Sequence, residues 1–314
     1  MPVFAAISAL CGFSLFFAGA GKSSDFSQAK QEEPTLQSVL ALKDPFLQGN
    51  VKTYYTPGFQ KRAETIRDFL VAERTFYEEK LGITVPLTIA VLDAKQWQAL
   101  NILDPYAMPT VSDVPPYVAL MPANWAENQL GMLPDQARSS PSLVQQVTAA
   151  GAGWSDTFYR GFDTIIGHEF GHAAASVAGI AKPKHWLDEF LATYFLIAFV
   201  HEKRADLQFP MRIFFSINME YPHPHTSLDD FESHYPLSDT LPTNYGWYQS
   251  QFWRRGEKVY RLQGVEFLRK MKVKFPAGRT SLALSNPDLL RKLDDVCPGF
   301  TRWADELEST RDPN

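Results

Sequence analysis

A five-residue motif in the middle of the chain constrains the fold more than any other feature. His168, Glu169 and His172 belong to the sequence H-E-F-G-H, which has the pattern H-E-x-x-H. On an α-helix, residues four positions apart lie one above the other on the same face. Both imidazoles can therefore reach one Zn²⁺ ion, while the glutamate lies beside them as a candidate general base rather than a ligand.

The residues around this motif have the spacing of a buried helix. Apolar side chains recur at intervals of three and four between residues 162 and 177, which predicts a helix over that stretch. Gly179 can adopt the left-handed conformation that ends helices, and Pro183 opposes continuation beyond it. The sequence thus predicts the helical frame that the motif needs.

A catalytic zinc ion needs a third protein ligand, because its fourth position is kept for water. Residues 184–195 have the apolar spacing of a second buried helix. Glu189 lies about one turn into this helix, where an unpaired carboxylate would be costly unless a metal ion bound it. Glu189 is therefore the preferred third ligand, and His185 and Asp188 are the alternatives.

The two segments together resemble the gluzincin zinc metallopeptidases of the aminopeptidase N and thermolysin-like clan. In the aminopeptidase N branch, H-E-x-x-H is followed by W-L-N-E-G-F-A-T-Y, and this chain has W-L-D-E-F-L-A-T-Y at residues 186–194. The resemblance implies that His168, His172 and Glu189 bind zinc and that Glu169 is the general base. An aspartate in place of asparagine, a phenylalanine in place of glycine and a shorter spacing to the glutamate depart from the pattern.

The resemblance also implies a tyrosine that donates a hydrogen bond to the tetrahedral intermediate. Residues 248–264 are similar in layout to the helix that follows the metal site in those enzymes. Tyr248 at its start is the implied catalytic tyrosine, with Tyr245 as the alternative and His234 as the next candidate donor.

The rest of the chain predicts an α+β fold. Helical spacing from residue 57 to 81 and a β-branched strand at residues 87–92 precede the motif helix, and helical patterns dominate after residue 189. Two stretches rich in proline, glycine and serine, residues 101–116 and 131–161, are predicted to be long loops. The resemblance narrows the class to a zincin-like fold, with a small sheet-bearing upper lobe and a mainly helical C-terminal lobe.

The short apolar segment 117–124 is interpreted as a strand at the edge of the sheet. Pro122 interrupts it and lacks the N–H that a ladder needs, which favours an edge position. In zinc peptidases, an edge strand above the metal binds the substrate backbone by strand addition. The sequence therefore predicts an edge strand over the zinc helix.

The first twenty residues are expected to be a signal peptide. They carry no charged side chain and end in the small residues Ala18, Gly19 and Ala20, which suit a cleavage site. The protein is expected to be exported, to the periplasm or outside the cell. After cleavage of the signal peptide it would have no stable membrane span, whereas an uncleaved signal peptide would anchor it to the membrane. The predicted organisation has four parts: a signal peptide at 1–20, a lead-in segment at 21–49, an N-terminal α/β part of the peptidase domain at 50–161, and a zinc-binding and helical part at 162–314.

Charge and motif together set the expected function. The net charge of −5 argues against nucleic-acid binding. The sequence predicts a zinc metallopeptidase that hydrolyses a peptide or protein substrate with Zn²⁺ as its cofactor. Two alternatives remain, a non-catalytic binding protein with a zincin fold and a zinc hydrolase that acts on a non-peptide substrate.

Overall fold

The computed structural model describes residues 34–102, 106, 108–124, 134–234, 242–278 and 284–310. The expected signal peptide at residues 1–20 lies outside these ranges. Within them, a mixed β-sheet forms the N-terminal part and a mainly helical region follows, so the predicted α+β class is confirmed. No helix in the described ranges is both long enough and apolar enough to cross a membrane.

Five strands form one sheet in the described part of the chain: β1 (Phe46–Leu47), β2 (Thr53–Tyr55), β3 (Leu87–Leu92), β4 (Thr110–Val111) and β5 (Tyr117–Pro122). Their spatial order is β1-β2-β3-β5-β4, with the three central strands parallel and both outer strands antiparallel to their neighbours. The predicted strand at residues 87–92 is β3, and it is buried from its second residue onward. A continuous buried run of this kind is typical of a parallel strand covered on both faces.

The prediction that residues 117–124 form an edge strand is wrong. β5 is interior, because it pairs with β3 on one side and with β4 on the other. All six of its residues are buried, and Pro122 is the last of them, where a missing N–H does least harm to the ladder. The edge strand on this side of the sheet is β4, which lies in the segment 101–116 that the sequence predicts to be a loop.

Thirteen α-helices fall in the described ranges: α1 (Leu36–Ala41), α2 (Gln60–Leu81), α3 (Ala94–Ala99), α4 (Pro141–Ala149), α5 (Trp154–Asp163), α6 (Ile165–Val177), α7 (His185–Lys203), α8 (Gln208–Asn218), α9 (Leu228–His234), α10 (Pro242–Gln263), α11 (Glu266–Lys274), α12 (Asn286–Val296) and α13 (Phe300–Ser309). The predicted helix over 57–81 is α2, and Gly82 ends it in the left-handed conformation at a φ of 66°. The expected lead-in segment 21–49 contains α1, whose Val39 is buried, and β1, which joins the sheet.

The predicted long loop at residues 131–161 is wrong over most of its length, because α4 and most of α5 lie there. Pro141 stands at the start of α4, where its missing N–H costs no helical hydrogen bond. Gly153 is the N-cap of α5, which buries Phe158 and Phe162. Proline and glycine therefore begin helices in this stretch.

Helix α7 is the central element of the core. Every residue from Trp186 to Val200 is buried except Asp188, which is half-buried. A helix that is apolar on all sides must be surrounded by other elements. α7 is packed against α6, α10 and α2, so these helices are held around the segment that contains Glu189.

A carboxyl group is buried next to α6 on the side of α2. Glu73 is fully buried, and its Oε1 accepts a 2.6 Å hydrogen bond from the hydroxyl of Tyr77. Its Oε2 has no hydrogen-bond partner among the described residues. Burial raises the pKa of Glu73 well above its ordinary value, and the hydrogen bond from Tyr77 offsets only part of this effect.

This shift predicts that the free energy of unfolding falls as the pH rises above the ordinary glutamate pKa. The unfolded chain then releases the proton while the folded protein still holds it, which favours the unfolded state. For one such group the slope approaches about 1.4 kcal/mol per pH unit between the two pKa values. Glu73→Gln should flatten this dependence above about pH 5, as measured by urea unfolding at several pH values.

The matched control is Glu78→Gln, because Glu78 is exposed on the same helix. This variant should keep the pH dependence of the unaltered protein. If Glu73→Gln kept it as well, the pKa of Glu73 would not be raised in the folded protein.

Candidate metal centre

Helix α6 places the two histidines of the motif on one face. The rings of His168 and His172 have centroids 5.0 Å apart, with their planes at 88° to each other. The helix ends at Val177, and Gly179 follows in the left-handed conformation with a φ of 71°. The predicted helix and its end are confirmed, although α6 begins at Ile165 after a break from α5.

Glycines on α6 allow α7 to approach it closely. A Cβ at Gly171 would lie 2.5 Å from the carbonyl oxygen of Ala192, and one at Gly167 would lie 2.8 Å from Cδ1 of Leu196. Gly171 faces Ala192, whereas Gly167, one turn earlier on α6, faces Leu196, one turn later on α7. The two helices therefore run antiparallel. This packing brings the N-terminal part of α7, with Glu189, to the histidine face of α6.

His168, His172 and Glu189 form a group that could hold a metal ion. One ring nitrogen of each histidine and one carboxylate oxygen lie within 4.8 Å of one another. Nε2 of His168 is 3.1 Å from Oε2 of Glu189, and Nε2 of His172 is 3.7 Å from Oε1. His168 and Glu189 are buried, whereas His172 is half-buried. The two Nε2 atoms therefore converge on one buried carboxylate.

The opposite ring nitrogens are held by hydrogen bonds. Nδ1 of His168 is 3.1 Å from the hydroxyl of Thr193, and Nδ1 of His172 is 2.8 Å from Oδ1 of Asp188. Asp188 also forms an ion pair with Lys182, at 2.8 Å. An Nδ1–H that donates to such an acceptor leaves the lone pair on Nε2, which is the form of the ring that binds metals. Both rings are thus oriented with Nε2 toward Glu189.

Helix α10 contributes two polar side chains to the same carboxylate. The hydroxyl of Tyr245 and the side-chain nitrogen of Gln249 donate to Oε2 of Glu189, at 3.1 and 2.7 Å. They are four residues apart on one helical face, and Gln249 also donates to the Tyr245 hydroxyl at 2.8 Å. Sequence reasoning missed Gln249. A glutamine one turn after a candidate tyrosine, on a helix rich in apolar residues, is the signal that could have identified it.

Opposing effects set the ionisation of Glu189. Burial raises its pKa, but the charges of His172 and His168 and hydrogen bonds from His168 and Gln249 lower it, and the net pKa is well below the ordinary value. Burial lowers the pKa of His172, whereas Glu189 and Asp188 raise it, with a net increase. Both shifts have the same physical cause, a buried carboxylate next to imidazoles, and a metal ion bound there would supply the compensating positive charge.

The other candidates from the sequence lie elsewhere. His185 is exposed at the first residue of α7 and does not belong to the group of three. Asp188 lies on the outer side of His172, at Nδ1. Tyr248 is buried, and its hydroxyl donates a 2.7 Å hydrogen bond to the carbonyl oxygen of Ser227. The structure thus brings the alternative tyrosine, Tyr245, to the metal-binding group.

Glu169 and the edge of the sheet both lie at the helix that contains the two histidines. Glu169 is half-buried on α6 between the two histidines. Because successive residues on a helix are about 100° apart, its carboxylate points to the side of the histidine face. β4 packs against the same helix. The candidate general base and the edge strand are therefore both next to the helix that contains the two histidines.

The donor set of the group fits zinc. Two imidazoles and one carboxylate are a known ligand set for catalytic zinc, with the fourth position left for water. Comparison of the chain with protein-family models, with curated proteins and with solved structures finds no match. The expectation of a gluzincin peptidase therefore rests on the motif and on the geometry of this group.

Removing any one of the three side chains should abolish tight metal binding. Metal-depleted protein should bind about one zinc ion per chain tightly, and His168→Ala, His172→Ala and Glu189→Ala should each lose it, because each removes a ligand. Asp188→Ala should weaken binding by about 10–100-fold, because it removes the acceptor that orients His172. Competition with a chromophoric chelator measures these affinities.

His185→Ala is the matched control and should bind zinc as tightly as the unaltered protein. If Glu189→Ala kept full affinity while Asp188→Ala or His185→Ala lost it, the third ligand would be one of those two residues.

Proposed function

We propose that this protein is a zinc-dependent metallopeptidase with a zincin-like fold and the gluzincin set of ligands. One observation supports the proposal most directly. Two imidazole Nε2 atoms converge on the buried carboxylate of Glu189, which also accepts a hydrogen bond from a tyrosine hydroxyl. Structural zinc sites have four protein ligands, whereas three ligands with a glutamate between the histidines favour catalysis.

His168, His172 and Glu189 would hold the zinc ion. When bound, zinc supplies Lewis acidity, which lowers the pKa of water towards about 7 and polarises a carbonyl group. The hydrogen bonds from the two Nδ1 atoms to Thr193 and Asp188 would keep both rings oriented throughout the reaction.

Glu169 and Tyr245 would act on the substrate. Glu169 would accept a proton from the attacking water and deliver it to the leaving amine. The Tyr245 hydroxyl, 3.1 Å from Oε2 of Glu189, would donate a hydrogen bond to the oxygen of the scissile carbonyl as negative charge develops there. We assign this role to Tyr245 because the Tyr248 hydroxyl is bound to the carbonyl of Ser227.

β4 would receive the peptide substrate. It is an edge strand of the described sheet and packs against the helix with the two histidines. An extended peptide can add to such an edge through backbone hydrogen bonds. We thus assign to β4 the binding of the substrate backbone that the sequence predicts for residues 117–124.

A substrate panel separates this proposal from the two alternatives. Internally quenched peptides and simple esters are incubated with the protein, with and without a zinc chelator. Chelator-sensitive cleavage of peptides supports a peptidase. Cleavage of esters alone indicates a hydrolase with a non-peptide substrate, and zinc binding without any turnover indicates a binding protein.

Glu169→Gln should keep the metal and lose hydrolysis, because an amide cannot accept the proton of water at neutral pH. Zinc content and peptide cleavage are measured on the same preparation. Glu169→Asp is the matched control, because it keeps a carboxylate on a shorter side chain and should retain part of the activity. Near-normal turnover by Glu169→Gln would rule out this residue as the general base.

Tyr245→Phe should bind zinc and substrate but turn over more slowly. Loss of one oxyanion donor typically lowers kcat by about 10²–10³-fold. Tyr248→Phe removes the same group three residues later and should leave kcat nearly unchanged, at the cost of some stability. The opposite result, with Tyr248→Phe slow and Tyr245→Phe normal, would restore Tyr248 as the catalytic tyrosine.

A further inference from the structure

A second cluster of metal-binding side chains lies outside the triad of α6 and α7. The segment between α8 and α9 supplies His225, and α9 supplies Asp230 and His234, which are four residues apart on one helical face. One ring nitrogen of each histidine and one oxygen of the carboxylate lie within 4.8 Å of one another. All three side chains are half-buried.

Hydrogen bonds hold the cluster in place. The side-chain amide of Asn244 on α10 accepts a 2.8 Å hydrogen bond from the backbone N–H of His225 and donates a 2.9 Å one to its carbonyl oxygen. Ser227 and Asp230 bond reciprocally, from the N–H of each residue to the side-chain oxygen of the other, at 3.2 and 2.9 Å. The cluster is therefore fixed by its surroundings on two sides.

One ring of the cluster has a buried nitrogen that lacks a hydrogen-bond partner among the described residues. Nδ1 of His234 donates a 2.7 Å hydrogen bond to the carbonyl oxygen of Asp230, so the neutral ring carries its lone pair on Nε2. Nδ1 of His225 is buried and has no hydrogen-bond partner among the described residues, although buried polar atoms are nearly always bonded. The two rings lie close together, with centroids 4.0 Å apart.

We infer that His225, Asp230 and His234 form a second binding site for a divalent transition-metal ion. Imidazole and carboxylate ligands suit zinc and its neighbours in the first transition series. Three half-buried ligands leave room for water in the coordination shell, so this site binds more weakly than the buried triad. A metal ion there ties the segment between α8 and α9 to α9, and the hydrogen bonds of Asn244 to His225 connect the same segment to the start of α10.

Zinc stoichiometry tests the inference without any activity measurement. Metal-depleted protein is titrated with Zn²⁺ in equilibrium dialysis, and the unaltered chain should take up a tight equivalent followed by a weaker one. His225→Ala and His234→Ala should each lose only the weaker equivalent. The double variant His168→Ala/His172→Ala should lose only the tight one, so the two sites are distinguished within one experiment.

Two further variants separate ligand loss from misfolding. His223→Ala removes an imidazole from the same segment, where that ring stacks on Trp247 with centroids 4.7 Å apart, and it should keep both equivalents. Asp230→Asn keeps an oxygen acceptor for Ser227 and should weaken only the second equivalent. Saturation of the unaltered protein at one equivalent, or retention of the second by both His225→Ala and His234→Ala, would overturn the inference.

Discussion

The buried negative charge of Glu189 is the constraint on which the site depends. An ionised carboxylate in an apolar interior is costly unless charged or hydrogen-bonding groups compensate for it. The compensating groups are two imidazoles from α6 and the hydroxyl and amide of α10. All three helices are held in position by the burial of α7, which is surrounded along most of its length. The packing that forms the core therefore also assembles the candidate metal-binding group.

The distance between α6 and α7 is set by glycine. Any side chain at Gly171 would meet the carbonyl oxygen of Ala192, at 2.5 Å for a Cβ alone. Overpacking of this kind costs about 1–3 kcal/mol and displaces the backbone. Displacement here would separate Glu189 from His168 and His172, whose nitrogens lie 3.1 and 3.7 Å from its oxygens. In this chain, the glycine at one of the two variable positions of H-E-x-x-H thus allows Glu189 to lie next to the two histidines.

The sequence predicts those features whose signals are local. The histidine pair depends only on helical geometry, and α2 and β3 follow from periodicity and from glycine at a helix end. Which tyrosine lies next to Glu189 depends on how α10 is rotated against α7, and no local sequence pattern predicts that rotation. Three residues turn a side chain by about 60° around the helix axis, and this carries the hydroxyl from Glu189 at Tyr245 to the carbonyl of Ser227 at Tyr248. The interior place of β5 depends in the same way on pairing with β4, a two-residue strand in a segment rich in turn residues.

Two glutamates beside α6 show that the surroundings decide which carboxyl group can serve a cation. Glu73 and Glu189 are 0% and 4% exposed, so burial acts on both. Burial raises the pKa of Glu73, where a tyrosine hydroxyl is the hydrogen-bonding neighbour, whereas imidazoles and an amide bring the pKa of Glu189 below its ordinary value. A carboxyl group with a raised pKa is a poorer ligand for a cation than an ionised one, so the histidine face of α6 suits a metal ion better than the face that meets α2. The polar groups around each carboxyl group, and not burial alone, therefore determine whether it is suited to bind a cation.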